Sequence, residues 1–170
     1  MCKIFKAVLF AADKHKGQLR KYTNEPYFLH PLAVAQIIDD SDFNSKENVC
    51  AALLHDTVED TSATIDDIKK EFGYDVAFRV HYLTDVSKQS DGPRAYRKEM
   101  DRNHLISCDL PDVFAIKCAD LIHNTSSIVE HDPEFAKIYL AEKRLMLDDM
   151  AKARPGFAGT KLWKLADALC

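Results

Sequence analysis

Glycine and proline are scarce, five and six residues in a chain of 170. That thin supply of turn formers excludes the short-stranded sandwiches and barrels that need a tight turn every few residues. Five cysteines are present but no Cys-x-x-Cys pair, which argues against a thiolate zinc finger or a dithiol redox centre. Cys50 and Cys118 lie inside helical apolar patterns and read as buried free thiols. Long apolar runs are also missing. Stretches such as Val49 to Leu54 are far too short to cross a bilayer, and the start Met-Cys-Lys-Ile-Phe-Lys has no signal-type hydrophobic block. The expected location is therefore the cytoplasm, with no membrane partner. Finally, no sign of charge dominates: 23 basic and 27 acidic residues are well mixed and leave a net charge of −4. Such a surface offers no general attraction to nucleic acid, and none is expected as a partner. A nucleotide ligand would need a local basic pocket.

What remains is a chain that is 46% hydrophobic and 29% charged, long enough to bury roughly two-thirds of its unfolded surface. We expect one all-α domain over residues 1–170. Lys3 to Lys16 places Ile4, Ala7, Val8, Ala11 and Ala12 on one face, and Gly17 follows where a helix ends. Pro31 fits the first turn of a second helix, with His30 at its N-terminal edge. Asn44 or Ser45 caps a third, carrying Val49, Ala52, Leu53 and Asp56. Thr64-Ile-Asp-Asp starts another with a capping box and Gly73 stops it, before a helix over Tyr74 to Leu83. Ser87 to Gly92 is the most polar and least periodic stretch and reads as a mobile loop. Pro93, Pro111 and Pro133 open three further helices, and a short amphipathic tail surrounds Trp163. The sum is a compact bundle of eight or nine helices without strands.

The strongest chemical signal is His55-Asp56-Thr57-Val58-Glu59-Asp60, directly after the apolar run. A hydrophobic helix that ends in so many ionisable groups cannot bury them unpaired. Adjacent His and Asp point about 100° apart on a helix, so both reach one ion only when other helices complete its shell. Two further donors are at hand: His30 at a helix start, and Asp120 in the middle of the apolar stretch around Ile116 to Ile122. Each alone has an ordinary structural explanation, a helix cap for His30 and an ion pair with Lys117 or Arg144 for Asp120. Together, two imidazoles and two carboxylates suit a divalent first-row ion such as manganese or iron. Glu59 and Asp60 form a second tier one turn beyond the His-Asp pair. Ahead of His30, Arg20 and Lys21 can bind phosphate or lay a guanidinium plane on a nucleobase. His123, three residues beyond Asp120, is read as an outer neighbour of the site at most.

Five ordered blocks carry a family resemblance: His15-Lys16-Gly17-Gln18-x-Arg20-Lys21, Glu25-Pro26-Tyr27-x-x-His30-Pro31-Leu32-x-Val34-Ala35, Ala51 to Thr61, Phe72-Gly73, and Lys117-x-Ala119-Asp120-x-x-His123-Asn124. Between about Ala11 and Glu142 the chain resembles the hydrolase domain of the RelA/SpoT family. Its length resembles the stand-alone members, the small alarmone hydrolases and metazoan SpoT homologues. The resemblance implies an all-helical HD bundle and one manganese ion held by His30, His55, Asp56 and Asp120. It implies removal of the 3′-pyrophosphate of (p)ppGpp or (p)ppApp, with Glu59 and Asp60 orienting and deprotonating the attacking water. Arg20 and Lys21 match nucleoside contacts, Asn124 a contact at the ribose and phosphate end, and Arg97 a basic position near the phosphates. Ser126 stands where many relatives have an arginine, so a different base or a different phosphate, such as the 2′-phosphate of NADPH or a deoxynucleotide, stays open. A nucleotide-sensing module without catalysis is the remaining alternative, disfavoured because a mere binder has no use for two carboxylates beside an anion.

Overall fold

The computed structural model describes all residues from 1 to 170; its regular elements are all helices, and one isolated bridge between Leu19 and Pro26 is the sole extended pairing. The chain divides into two compact units, Met1–Thr84 and Asp85–Cys170.

The first unit contains α1 (Lys3–Lys14), α2 (Leu29–Asp39), α3 (Lys46–Leu54), α4 (Thr57–Asp60), α5 (Ile65–Phe72) and α6 (Tyr74–Leu83). Its centre is α3, in which every residue from Asn48 to Leu54 is buried. A helix that is apolar on all sides has to be surrounded, and α1, α2 and α6 all pack against it. The expected punctuation is in place. Ser45 caps α3 by accepting from the Asn48 amide, Thr64 and Asp67 form the reciprocal capping box of α5, and Gly73 turns the chain with φ at +89°. Thr64→Ala removes an acceptor for the Asp67 amide and is expected to cost about 1 kcal/mol, which a urea unfolding midpoint would register.

One feature departs from the sequence expectation. The third helix does not run on through Asp56 but stops at Leu54, and a single-turn α4 restarts at Thr57. Two side chains compete for its last carbonyls: His55 Nδ1 lies 2.7 Å from the Ala52 oxygen, and Thr57 Oγ1 donates to Leu54 at 2.7 Å. Such local bonds to the backbone three residues back draw the chain out of regular helix. Asp56 then adopts φ −93° and ψ −8°, the bridge region favoured by turns.

The second unit contains α7 (Arg94–Ile106), α8 (Pro111–His131), α9 (Pro133–Ala153) and α10 (Lys161–Asp167). Proline at the first turn opens α8 and α9, where its missing N–H costs nothing. The long α8 is the buried element here, packed by α9 and α10, with α7 against both α8 and α9. The stretch 87–92, expected to be a loose loop, holds a 3₁₀ turn at Gln89–Asp91 and is tied at its start. Asp101 accepts from the Val86 and Ser87 amides and from the Ser87 hydroxyl at 2.9–3.0 Å.

Candidate metal centre and its surroundings

The interruption after Leu54 places His55 and Asp56 at the buried end of the most buried helix of the first unit. His30 arrives from the first turn of α2, and α2 packs along α3. His30 and His55 are 1% and 2% exposed. Their Nε2 atoms lie 3.5 and 3.1 Å from the same oxygen, Asp56 Oδ2, with the rings 5.2 Å apart at a steep angle. Two donors each about 2.1 Å from one ion, at ordinary coordination angles, stand roughly 3.0–3.4 Å apart. The spacing of this trio is therefore that of neighbouring ligands, and one donor atom from each residue falls within a 4.8 Å set.

The tautomer of His55 follows from the same contact that ends the helix. A carbonyl only accepts, so Nδ1 carries a proton toward Ala52, which leaves Nε2, on the side of Asp56, as the ring nitrogen that could hold a metal ion. Holding the distal ring nitrogen in this way is how metal-binding histidines are oriented. Two imidazoles and a carboxylate, without a thiolate, suit a divalent cation of borderline hardness.

Tyr27 joins the carboxylates of the unit. Its hydroxyl donates to Asp56 Oδ2 at 2.8 Å and also stabilises the Asp60 carboxylate. Its ring lies 5.0 Å from that of His15, at a tilt of 34°, and 5.7 Å from the Arg20 guanidinium. Behind it, buried His15 hydrogen-bonds Gln18 at 2.7 Å, and the Gln18 amide donates to the Asp60 carbonyl at 2.8 Å. Asp60 reaches solvent, yet partial desolvation by its neighbours, followed by the charge of Asp56, pushes its carboxyl above the usual range. A carboxylate whose proton affinity is raised is a better proton acceptor. Glu59 is exposed one residue earlier, on the same single turn α4.

Arg20 and Lys21 sit on a tight loop in which the Arg20 amide donates to Glu25 at 2.8 Å and the Tyr27 amide to Gln18 at 2.9 Å, with Asn24 in the left-handed region at φ +57°. That closure brings Arg20 onto the Tyr27 ring, whereas Lys21 turns to Tyr22. His15 and Tyr27 were not singled out from sequence. The signal was their place in the motifs flanking His30, where an aromatic and a histidine look like ordinary core residues.

In the second unit Asp120 is buried on α8. Its Oδ1 accepts from Asn124 at 2.6 Å and its Oδ2 pairs with Lys117 at 3.1 Å. Of the two partners considered for Asp120, Lys117 is the one adopted, since Arg144 pairs with Asp167. His123 is half-buried, and exposed Ser126 donates to its carbonyl at 3.3 Å. Arg97 is half-buried on α7, with its Nε enclosed and lacking an acceptor.

An all-helical chain in which a buried helix ends in a His-Asp pair, with a second imidazole turned on the same carboxylate, has the form of a metal-dependent phosphohydrolase of the HD class. The chain belongs to the HD-domain family, whose model matches residues 7–146. It is similar to the guanosine-3′,5′-bis(diphosphate) 3′-pyrophosphohydrolase MESH1 of Xenopus tropicalis, with 38% identity over 77% of this chain and 72% of that protein. It is also similar to a guanosine-3′,5′-bis(diphosphate) 3′-pyrophosphohydrolase of Aquifex aeolicus, 38% identical over 74% of this chain but only 18% of that longer protein. Among solved structures, a metazoan orthologue of SpoT described as hydrolysing ppGpp superposes with a TM-score of 0.83 at 26% identity, covering 99% of this chain and 94% of the other. No helix of the chain is long and apolar enough to cross a membrane.

Proposed function

We propose that this chain is a manganese-dependent hydrolase that removes the 3′-pyrophosphate of (p)ppGpp and (p)ppApp, giving the nucleoside 5′-di- or triphosphate and pyrophosphate. The observation that carries this reading is the convergence of His30 Nε2, His55 Nε2 and Asp56 Oδ2 within ligand spacing, in a chain similar to named 3′-pyrophosphohydrolases. Asp120 is the proposed fourth ligand, and the two units are proposed to act as one domain over 1–170. The family match runs across the boundary at Thr84, which supports the latter. Five free cysteines, three of them buried at Cys50, Cys108 and Cys118, fit a reducing cytoplasm as the setting.

A divalent ion at this centre supplies Lewis acidity at phosphorus and makes a nearby water more acidic. In the proposed reaction the water oxygen bonds to the phosphorus attached to the ribose 3′ oxygen, and that oxygen leaves and takes up a proton. Glu59 and Asp60 hold the attacking water and accept its proton, a task for which the raised pKa of Asp60 suits it. Tyr27 fixes Asp56 and Asp60 relative to each other through one hydroxyl. Asn124 is proposed at the ribose and phosphate end, Arg97 near the phosphates, and Arg20 and Lys21 at the nucleoside.

The deciding experiment is product analysis of the metal-stripped protein, reloaded with manganese, on ppGpp, ppApp, NADPH and a deoxynucleotide. Pyrophosphate released from both alarmones supports the reading. Phosphate from NADPH or the deoxynucleotide alone would replace it with a different phosphatase activity, and tight binding without turnover would make the protein a sensor. Arg20→Ala is expected to weaken both alarmones by similar factors, about 2- to 30-fold, since a cation against a π face contributes roughly 0.5–2 kcal/mol and does not distinguish purines. Michaelis constants that do not move would remove Arg20 from the base.

A further inference from the structure

The buried face of α9 is written by Ala136, Tyr139, Met146, Leu147 and Met150, and position 143 falls on that same stripe, one turn from Tyr139 and one turn from Leu147. The residue there is a lysine. We propose that Lys143 is an anion-binding residue that takes a phosphate oxygen of the nucleotide substrate, an inference that rests on the hydrolase reading above.

The charges of the second unit point this way. Lys98 is bound to Asp85 at 2.6 Å and approaches Asp101 at 3.5 Å. The oxygens of Asp101 are otherwise taken by Val86 and Ser87, and Asp120 holds Lys117 and Asn124. Lys143 has neither a carboxylate nor a carbonyl as partner; its one direct contact is the face of the Tyr139 ring, 5.1 Å from Nζ. An ammonium crowded by protein and held without an anion is poorly compensated, and the setting makes it more so. Burial, and then the like charges of Lys117 and Lys98, lower its pKa to about 8, with Asp120 and Asp85 acting in the opposite direction. The group is still mostly protonated at neutral pH, and its residue is only half-buried, so a ligand has access. A dianionic phosphate would relieve all three lysines at once. Lys143 would in turn supply positive charge to a family site in which Ser126, an exposed hydroxyl, stands in place of an arginine. A lysine kept solely for packing would be replaceable by methionine, which has similar length and no charge to desolvate.

The test compares wild type with Lys143→Met in three readouts: thermal melting without ligand, calorimetric binding of inorganic pyrophosphate, and steady-state kinetics on ppGpp with manganese. The variant is expected to melt higher than wild type, since a partly desolvated, uncompensated charge is gone, and to bind pyrophosphate about tenfold or more weakly, the loss typical of one charged hydrogen bond. Its KM for ppGpp is expected to rise by a similar factor, with bound manganese unchanged. Lys143→Arg, which keeps the charge, should recover part of the affinity. Pyrophosphate affinity and KM equal to those of wild type would overturn the proposal and leave Lys143 a packing residue. Should the methionine variant fail to fold, Lys143→Gln carries the same comparison. If wild type cleaves no alarmone, the hydrolase reading fails, while the pyrophosphate arm still decides whether Lys143 binds an anion.

Discussion

His55→Ala is expected to lose manganese and hydrolysis together. The substitution removes one donor of the proposed ligand trio and the ring that faces Asp56 Oδ2 at 3.1 Å. It also removes the contact with Ala52 that ends α3. Loss of a partner that merely orients a ligand costs about 10- to 100-fold in affinity or activity, and loss of the ligand itself should exceed that range. Metal content by elemental analysis and turnover of ppGpp are the measurements. His55 is itself buried, so some loss of stability is expected as well, and a circular dichroism spectrum would show that the helical fold is kept. Stoichiometric manganese with normal turnover in this variant would remove the site from consideration.

The second large effect is expected from Glu59→Gln, and it separates chemistry from metal binding. Glutamine keeps the shape of glutamate but cannot accept a proton, so kcat should fall by about 10²- to 10⁴-fold while manganese content and melting temperature stay at wild-type levels. Glu59 is exposed on a four-residue helix, which leaves little packing to disturb. Equal loss of metal would show instead that Glu59 is a ligand. Asp60→Asn gives a useful contrast. Asp60 shares the Tyr27 hydroxyl with Asp56, so this change should disturb the carboxylate pair as well as proton transfer, and its effect on KM should be larger than that of Glu59→Gln.

Much of the helical frame was legible because its ends carry strong local signals. Ser45, Thr64, Gly73, Pro111 and Pro133 each act within one turn of chain, and each does in the structure what its chemistry predicts. The His-Asp pair was legible for a similar reason: four ionisable groups at the end of an apolar helix demand an explanation. The break after Leu54 was hidden, because the competing bonds from His55 and Thr57 emerge only in three dimensions. Tyr27 was hidden because its ring is ordinary core material and only its hydroxyl position makes it part of the site. Lys143 was hidden in Glu142-Lys143-Arg144, which reads as a solvated run of charge. Which of the three turns inward depends on the rotation of α9 against α8, a tertiary property that no window of sequence contains. The same holds for the tie between Asp101 and Ser87, which joins residues too far apart for any turn signal to link them.

The hydrogen bond from His55 Nδ1 to the Ala52 carbonyl bears on how freely this lineage can change. Where an aspartate side chain orients a metal-binding histidine, one codon change can delete the orienting group. A main-chain oxygen is supplied by whatever amino acid occupies position 52, so the genetic code offers no direct way to mutate it. The Nδ1–H of this imidazole is in effect inherited from the path of the backbone. Drift in the surrounding side chains can proceed without losing the acceptor that holds Nδ1 of His55.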